Sequence, residues 1–194
     1  MKQRSLIFEK PFTCTLRETP RPEPREDALL VAARCSAISA GTEMLVFQGR
    51  FPADVPLDAT LPGYAGTSFA YPLAYGYASV GRVVAAGPEA DPAWIGRRVF
   101  AFKPHQSHFT LPAAELIPVP EGVADEDAAF LAAMETAVTL VMDGRPLVGE
   151  RVLVLGQGVV GLLTTAVLAR FPLKALAVIE RWPLRRRAAG DLGA

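Results

Sequence analysis

The stretch VLVLGQGVVG, Val152 to Gly161, carries glycines at Gly156, Gly158 and Gly161. A G-x-G-x-x-G spacing binds anions with main chain, not side chains. The first glycine permits a tight turn, the second lets a pyrophosphate approach the backbone, and the third lets a helix pack close to a strand. Amides and the dipole of the helix start then hold the phosphates. Gln157, Val159 and Val160 fill the same loop and share the expected cofactor contact. About 20 residues on, the apolar run LAVIE closes on Glu180, where a carboxylate accepts hydrogen bonds from adenosine ribose hydroxyls and repels a 2′-phosphate. This favours NAD(H) over NADP(H). Arg181, next to it, supports the opposite reading, since a guanidinium pairs with a 2′-phosphate. The bland alternative keeps the glycines for packing only and leaves Glu180 a solvated strand end.

These groups need elements to position them. ERVLVLG and KALAVIE are continuous apolar runs expected to be strands buried on both faces, and VVGLLTTAVLARF between them is expected to be helical. PLRRRAAGDLGA reads as a short helix with Pro183 in its first turn. Together they make one βαβ unit and a trailing helix. Upstream, DEDAAFLAAMETAVTLVMD predicts a helix capped by Asp125 or a neighbour and stopped by Gly144 and Pro146. From Met1 to about Gly122 the pattern differs: RSLIFE, TCTLRE, ALLVAARCSAIS, GRVVAAG, RRVFAF, HFTLP and LIPVP are short runs punctuated by Pro and Gly. They predict a small all-β barrel. The expected domains are therefore 1–122, a helical junction 123–149, and a partial dinucleotide-binding unit 150–194. Pro52 to Ala74 is the expected irregular region.

The 194 residues carry 20 basic and 20 acidic side chains, a net charge of zero. Such a balance gives no general attraction for nucleic acid or anionic lipid. Arg185, Arg186 and Arg187 are read as a solvated helix face. Cys14 and Cys35 supply neither a disulfide framework nor a cysteine zinc site, and a reducing cytoplasm suits them. No signal-peptide run and no apolar span of about 20 residues is present, so neither secretion nor membrane insertion is expected.

The order of parts resembles the medium-chain dehydrogenase/reductase superfamily, the zinc alcohol dehydrogenase and quinone oxidoreductase group. AISAGTE resembles its C-G-T-D region, YPLAYGYASVGRVVAAG its P-G-H-E-x-x-G strand, and GRRVFAF its G-D-R-V strand. HFTLPAAELIPVPEGVADEDAAFL is similar to its A-E-Y segment, and LGQGVVG with DLGA to its nucleotide half. The resemblance implies α/β plus all-β architecture: a GroES-like β-barrel followed by a partial Rossmann βαβα unit. It implies an oxidoreductase acting on a carbonyl, alcohol or activated alkene.

At the family's zinc ligands this chain departs from the pattern, with Ala40 for the cysteine and Tyr77 and Ala78 for the His-Glu pair. A methyl group and a phenol make no tetrahedral zinc site, so no catalytic metal is expected. Glu135 resembles a third ligand, but one carboxylate holds no zinc. Hydrogen-bond donors must then exchange the substrate proton. Thr42 matches the family's proton-relaying hydroxyl and Tyr77 offers a phenol in the same pocket, or simply fills the volume left there. By the same resemblance His105 falls near the family's cleft-facing loop, where it either shuttles protons or ties a loop. His105 and His108 are not expected to share a face. Glu43 resembles an acid that orients its neighbours; the alternative is an exposed helix-start carboxylate. Tyr64, Tyr71, Tyr75 and Tyr77 with Phe69 either line a pocket or pack a loop.

Relatives in this superfamily continue past the terminal LGA with more Rossmann strands. Three expectations follow: a truncated product, a homo-oligomer or complementing chain, or a catalytically silent binding module. Because the resemblance puts much of the nicotinamide pocket in those later residues, weak NAD(H) binding and little or no turnover of a small-molecule substrate are expected of an isolated monomer.

Overall fold

The computed structural model describes residues 1–51 and 68–194, which fall into two compact units, Met1–Phe130 and Leu131–Ala194.

In the first unit the short apolar runs become antiparallel strands. Strands β1 (Lys2–Lys10) and β2 (Thr13–Pro20) form a ribbon. Strands β3 (Ala28–Ser36), β4 (Ser79–Ala86), β5 (Arg98–Ala101), β6 (His108–Pro112) and β7 (Ile117–Pro118) form a sheet in the order β6-β3-β4-β5-β7. Period-two alternation sends Leu29, Val31, Val83, Val99, Phe109 and Leu111 into one core. Each such burial is worth about 1.5–3 kcal/mol. Gly81 lies where the neighbouring strand comes closest, since a Cβ there would sit 2.5 Å from the Ala32 carbonyl oxygen. The short helix α1 (Thr42–Phe47) closes a second cluster, in which Val46 packs with Phe8 and Tyr75.

Helix α2 (Asp125–Ala128) departs from expectation. Its N-cap is Ala124, which makes no side-chain cap, and the helix ends before a separate α3 (Leu131–Gly144) begins. The Asp125 carboxylate is taken by two guanidinium groups, Arg34 Nε at 2.5 Å and Arg98 Nη1 at 3.0 Å. Partial burial pushes the carboxyl pKa up, but the two arginines outweigh it and hold it below its ordinary value.

The second unit contains α3, β8 (Arg151–Leu155), α4 (Val159–Leu168), β9 (Ala175–Ile179) and α5 (Pro183–Asp191), with Pro183 in the first turn. Strands β8 and β9 pair in parallel from Arg151↔Ala175 to Leu155↔Ile179. Both strands were expected to be buried on both faces, and the structure corrects this. Val152, Val154, Leu176 and Val178 are half-buried, whereas Leu153, Leu155 and Ile179 are 54%, 71% and 60% exposed. Burial alternates along each strand because successive side chains leave opposite faces, and only one face is covered. Among the described residues no helix is long and apolar enough to cross a membrane.

Candidate functional site

In the second unit, Gly156 leaves β8 with φ +85°, a left-handed conformation that favours glycine. Its amide donates to the Ile179 carbonyl at 2.8 Å, which ties the turn to the end of β9. Gly161 is fixed by space: a Cβ would stand 2.1 Å from the Gly156 carbonyl oxygen. Gly158 is different, with nothing within 4 Å of its Cβ position. The middle glycine thus faces open space at the start of α4, whose first-turn amides have no intrahelical acceptor.

The Glu180 carboxylate points into this turn. Its Oε2 accepts from the Gln157 amide at 2.6 Å and its Oε1 from the Trp182 amide at 2.9 Å. Those two amide bonds, Trp182 first, hold the carboxyl below its ordinary pKa. Gln157 is fully buried and its Oε1 accepts from Thr165 Oγ1 at 3.0 Å. Its Nε2 is buried without a partner among the described residues. Val159 is exposed and Val160 half-buried at the helix start. The Arg181 guanidinium lies 5.3 Å over the Trp182 ring, and Arg186 donates to the Glu180 and Arg181 carbonyls.

The first unit gathers a second set of groups. Thr42 is half-buried at the start of α1, and its amide donates to Ser39 Oγ at 3.3 Å. Glu43 is not the exposed helix-start carboxylate of the alternative reading: it is 2% exposed. Its Oε1 accepts from the Ser39 amide at 2.8 Å, and its Oε2 lies 2.6 Å from His105 Nε2. His105 Nδ1 in turn sits 2.8 Å from Ser36 Oγ, so both ring nitrogens are engaged. His108 is apart from this cluster, on β6, with Nδ1 3.1 Å from Ser107 Oγ. Burial, assisted by Arg21, pushes the His108 pKa down.

Tyr77 is half-buried, its ring set edge-on to Tyr75 at 6.3 Å. Tyr75 is a core residue, and the Tyr71 hydroxyl donates to the Val46 carbonyl. Phe51 and Phe69 stack at 3.9 Å. These described aromatic residues pack in the second cluster; Tyr64 lies outside the described residues. The pairing of Glu43 with His105 and Ser36 joins positions far apart in sequence, and no local pattern announces it. A glycine before Tyr77 was its nearest signal: Gly76 has φ +129°, and a Cβ there would stand 2.7 Å from His105 Nε2.

No family model matches the chain. Curated relatives include the L-threonine 3-dehydrogenases of Alteromonas mediterranea and Stenotrophomonas maltophilia, each 25% identical over 92% of this chain. The chain spans 57% of their length. Among solved structures it is similar over its whole length to a short chain alcohol dehydrogenase of Escherichia coli CFT073 complexed with NADH. There the TM-score is 0.81 at 22% identity, with 61% of that chain covered. The 2R,3R-butanediol dehydrogenase of Bacillus subtilis gives 0.81 at 18% identity, over 99% of this chain and 62% of that one. A Pseudomonas syringae quinone oxidoreductase gives 0.74 at 20% identity, over 100% and 57%.

The fold is the one shared by these alcohol and butanediol dehydrogenases and the quinone oxidoreductase. The all-β unit corresponds to the GroES-like barrel of these dehydrogenases and the βαβα unit to part of their Rossmann domain. A dinucleotide fits the residues of the second unit: the cradle is open at Gly158, and Glu180 is oriented toward it. A catalytic zinc, which the alcohol dehydrogenase resemblance implies, does not fit. Ala40 and Ala78 offer no donor atom, Tyr77 offers a phenol, and the nearby Glu43 and His105 are bonded to each other.

Proposed function

We propose that the chain carries the nucleotide cradle and the proton-donating pocket of a zinc-independent, NAD(P)(H)-dependent oxidoreductase of the medium-chain type. Its substrate class is a carbonyl, an alcohol or an activated alkene. The observation that carries this reading is the cradle, in which Gly161 is shut against main chain, Gly158 is open, and the Glu180 carboxylate accepts from the Gln157 amide in the turn just before the open glycine. Relatives named for threonine and butanediol dehydrogenation and for quinone reduction support the reaction class.

In this reading the main chain of Gly156, Gln157, Gly158, Val159, Val160 and Gly161 holds the pyrophosphate, with the α4 dipole behind it. Glu180 accepts from the adenosine ribose hydroxyls and favours NAD(H), and Arg181, stacked on Trp182, edges the same subsite. A bound nicotinamide supplies the hydride chemistry. The Thr42 hydroxyl and the Tyr77 phenol give or take the proton of the substrate oxygen, the role a metal would otherwise assist. A reducing cytoplasm and self-association or a complementing chain complete the proposal.

Calorimetric titration of the full chain with NADH and NADPH tests it. The expected result is weak binding with NADH preferred, and absence of heat with either at millimolar ligand overturns the cofactor assignment. The Thr42→Ala, Tyr77→Phe double variant is expected to lose turnover while keeping nucleotide affinity; an unaltered rate removes both donors. A second reading, a silent binding module, draws on the exposed Leu153, Leu155 and Ile179. Light scattering that shows a stable assembly without cofactor, together with no nucleotide binding, favours it.

A further inference from the structure

Several segments of the first unit converge on one imidazole. His105 Nδ1 meets Ser36 at the end of β3, and Nε2 meets Glu43 on α1. The His105 carbonyl accepts from the Leu6 amide of β1 at 2.9 Å. The main chain at Gly76 is packed so closely that a Cβ there would lie 2.7 Å from Nε2. The ring is 8% exposed and its carboxylate partner 2%.

The contacts continue to the backbone of Thr42 and to the residue before Tyr77. On one side the chain of bonds runs from His105 to Glu43, from Glu43 Oε1 to the Ser39 amide, and from Ser39 Oγ to the Thr42 amide. On the other side Gly76 is the residue before Tyr77. The two sides are also joined directly, since the Ala37 amide donates to the Ala78 carbonyl at 2.9 Å. A proton shuttle is a poorer account of the same atoms. Both ring nitrogens are occupied, and the far oxygen of Glu43 meets a backbone amide, which takes up no proton.

We propose that His105 is a positioning residue: held by Glu43, it fixes where the Thr42 hydroxyl and the Tyr77 phenol stand. The proposal rests on the oxidoreductase reading for the reaction, and on the hydrogen bonds above for the clamp. A hydrogen bond to an ionised carboxylate is about twice as strong as a neutral one, and its loss in a buried place leaves a partner unsatisfied. Donor placement also matters steeply, because a shift of about 1 Å costs on the order of 100-fold in rate.

The test uses the full chain with His105→Gly, with free imidazole added as the probe. Turnover in kcat is expected to fall about 100-fold, with NADH affinity held within about twofold because the cradle lies in the other unit. Imidazole is expected to restore at least about a tenth of the lost rate. A kcat that stays unchanged, or one that imidazole fails to raise, overturns the clamp. Where His105→Gly fails to fold, His105→Gln and Glu43→Gln replace it. Each is expected to lower kcat about tenfold, and the double variant to be no worse than either single change, as for groups acting as one unit. Multiplied losses overturn the proposal. Should the wild-type chain bind no nucleotide, the functional reading fails separately; should it bind nucleotide but show no measurable turnover, kcat gives no readout. The NMR resonances of Thr42 and Tyr77 then decide: a shift in His105→Gly reversed by imidazole upholds the clamp, and no shift overturns it.

Discussion

Around Thr42 and Tyr77 the first unit buries side chains that bind one another, whereas around Gly158 the second unit offers bare main chain with a carboxylate at its rim. The first arrangement depends on donor and acceptor identity: Glu43, His105 and Ser36 form one chain of hydrogen bonds inside the fold. The second depends on volume, because at Gly161 no atom larger than hydrogen fits and at Gly158 nothing lies within 4 Å of a Cβ position. A region made of side chains should therefore fail when chemistry changes at constant size, and a region made of backbone when size changes at constant chemistry.

The sharpest way to break this contrast is Gly161→Ala. A methyl 2.1 Å from the Gly156 oxygen forces helix from strand, and a loss of about 3 kcal/mol or more is expected in thermal unfolding, with nucleotide affinity gone. Next comes Glu43→Ala, which strands a buried imidazole and the Ser39 amide; a loss of about 3 kcal/mol is expected, with Glu43→Gln milder. Gly76→Ala combines a forbidding φ of +129° with the His105 overlap, and about 1–3 kcal/mol is expected from denaturant titration. Gly158→Ala inverts the pattern. Its φ of −71° suits any residue and its surroundings are empty, so stability should hold within about 0.5 kcal/mol while NADH affinity drops about tenfold in calorimetry.

The smallest effect concerns Glu180. Its pKa is lowered by the Trp182 and Gln157 amides, so its contribution to stability is present above the unfolded value and lost as pH falls through the folded one. Melting curves from about pH 6 to about pH 3 should show wild type losing slightly more than Glu180→Gln.

Much of this was legible because it is local. The G-x-G-x-x-G spacing, the apolar runs and Pro183 act within a few residues of themselves, and β8, α4, β9 and α5 appear where those signals stand. The Asp125 cap was misread because a carboxylate at a helix start has two uses, and Arg34 and Arg98 arrive from distant strands to claim it. The clamp was illegible for the same reason. His105 drew notice from its type and Glu43 from the resemblance, but the bond between them exists only after β3, α1 and the loop before β6 have folded together. The half-covered sheet was missed because LAVI and VLVL are apolar at every position, and hydrophobicity alone does not say which face has a cover.

That uncovered face has a calorimetric consequence. Leu153, Leu155 and Ile179 already meet solvent in the native state, so unfolding the second unit hydrates less new apolar surface per residue than unfolding the first. Its heat-capacity increment should fall below the usual figure of about 12–15 cal/mol/K per residue. A smaller increment flattens the stability curve, leaving the second unit the less sensitive of the two to cold.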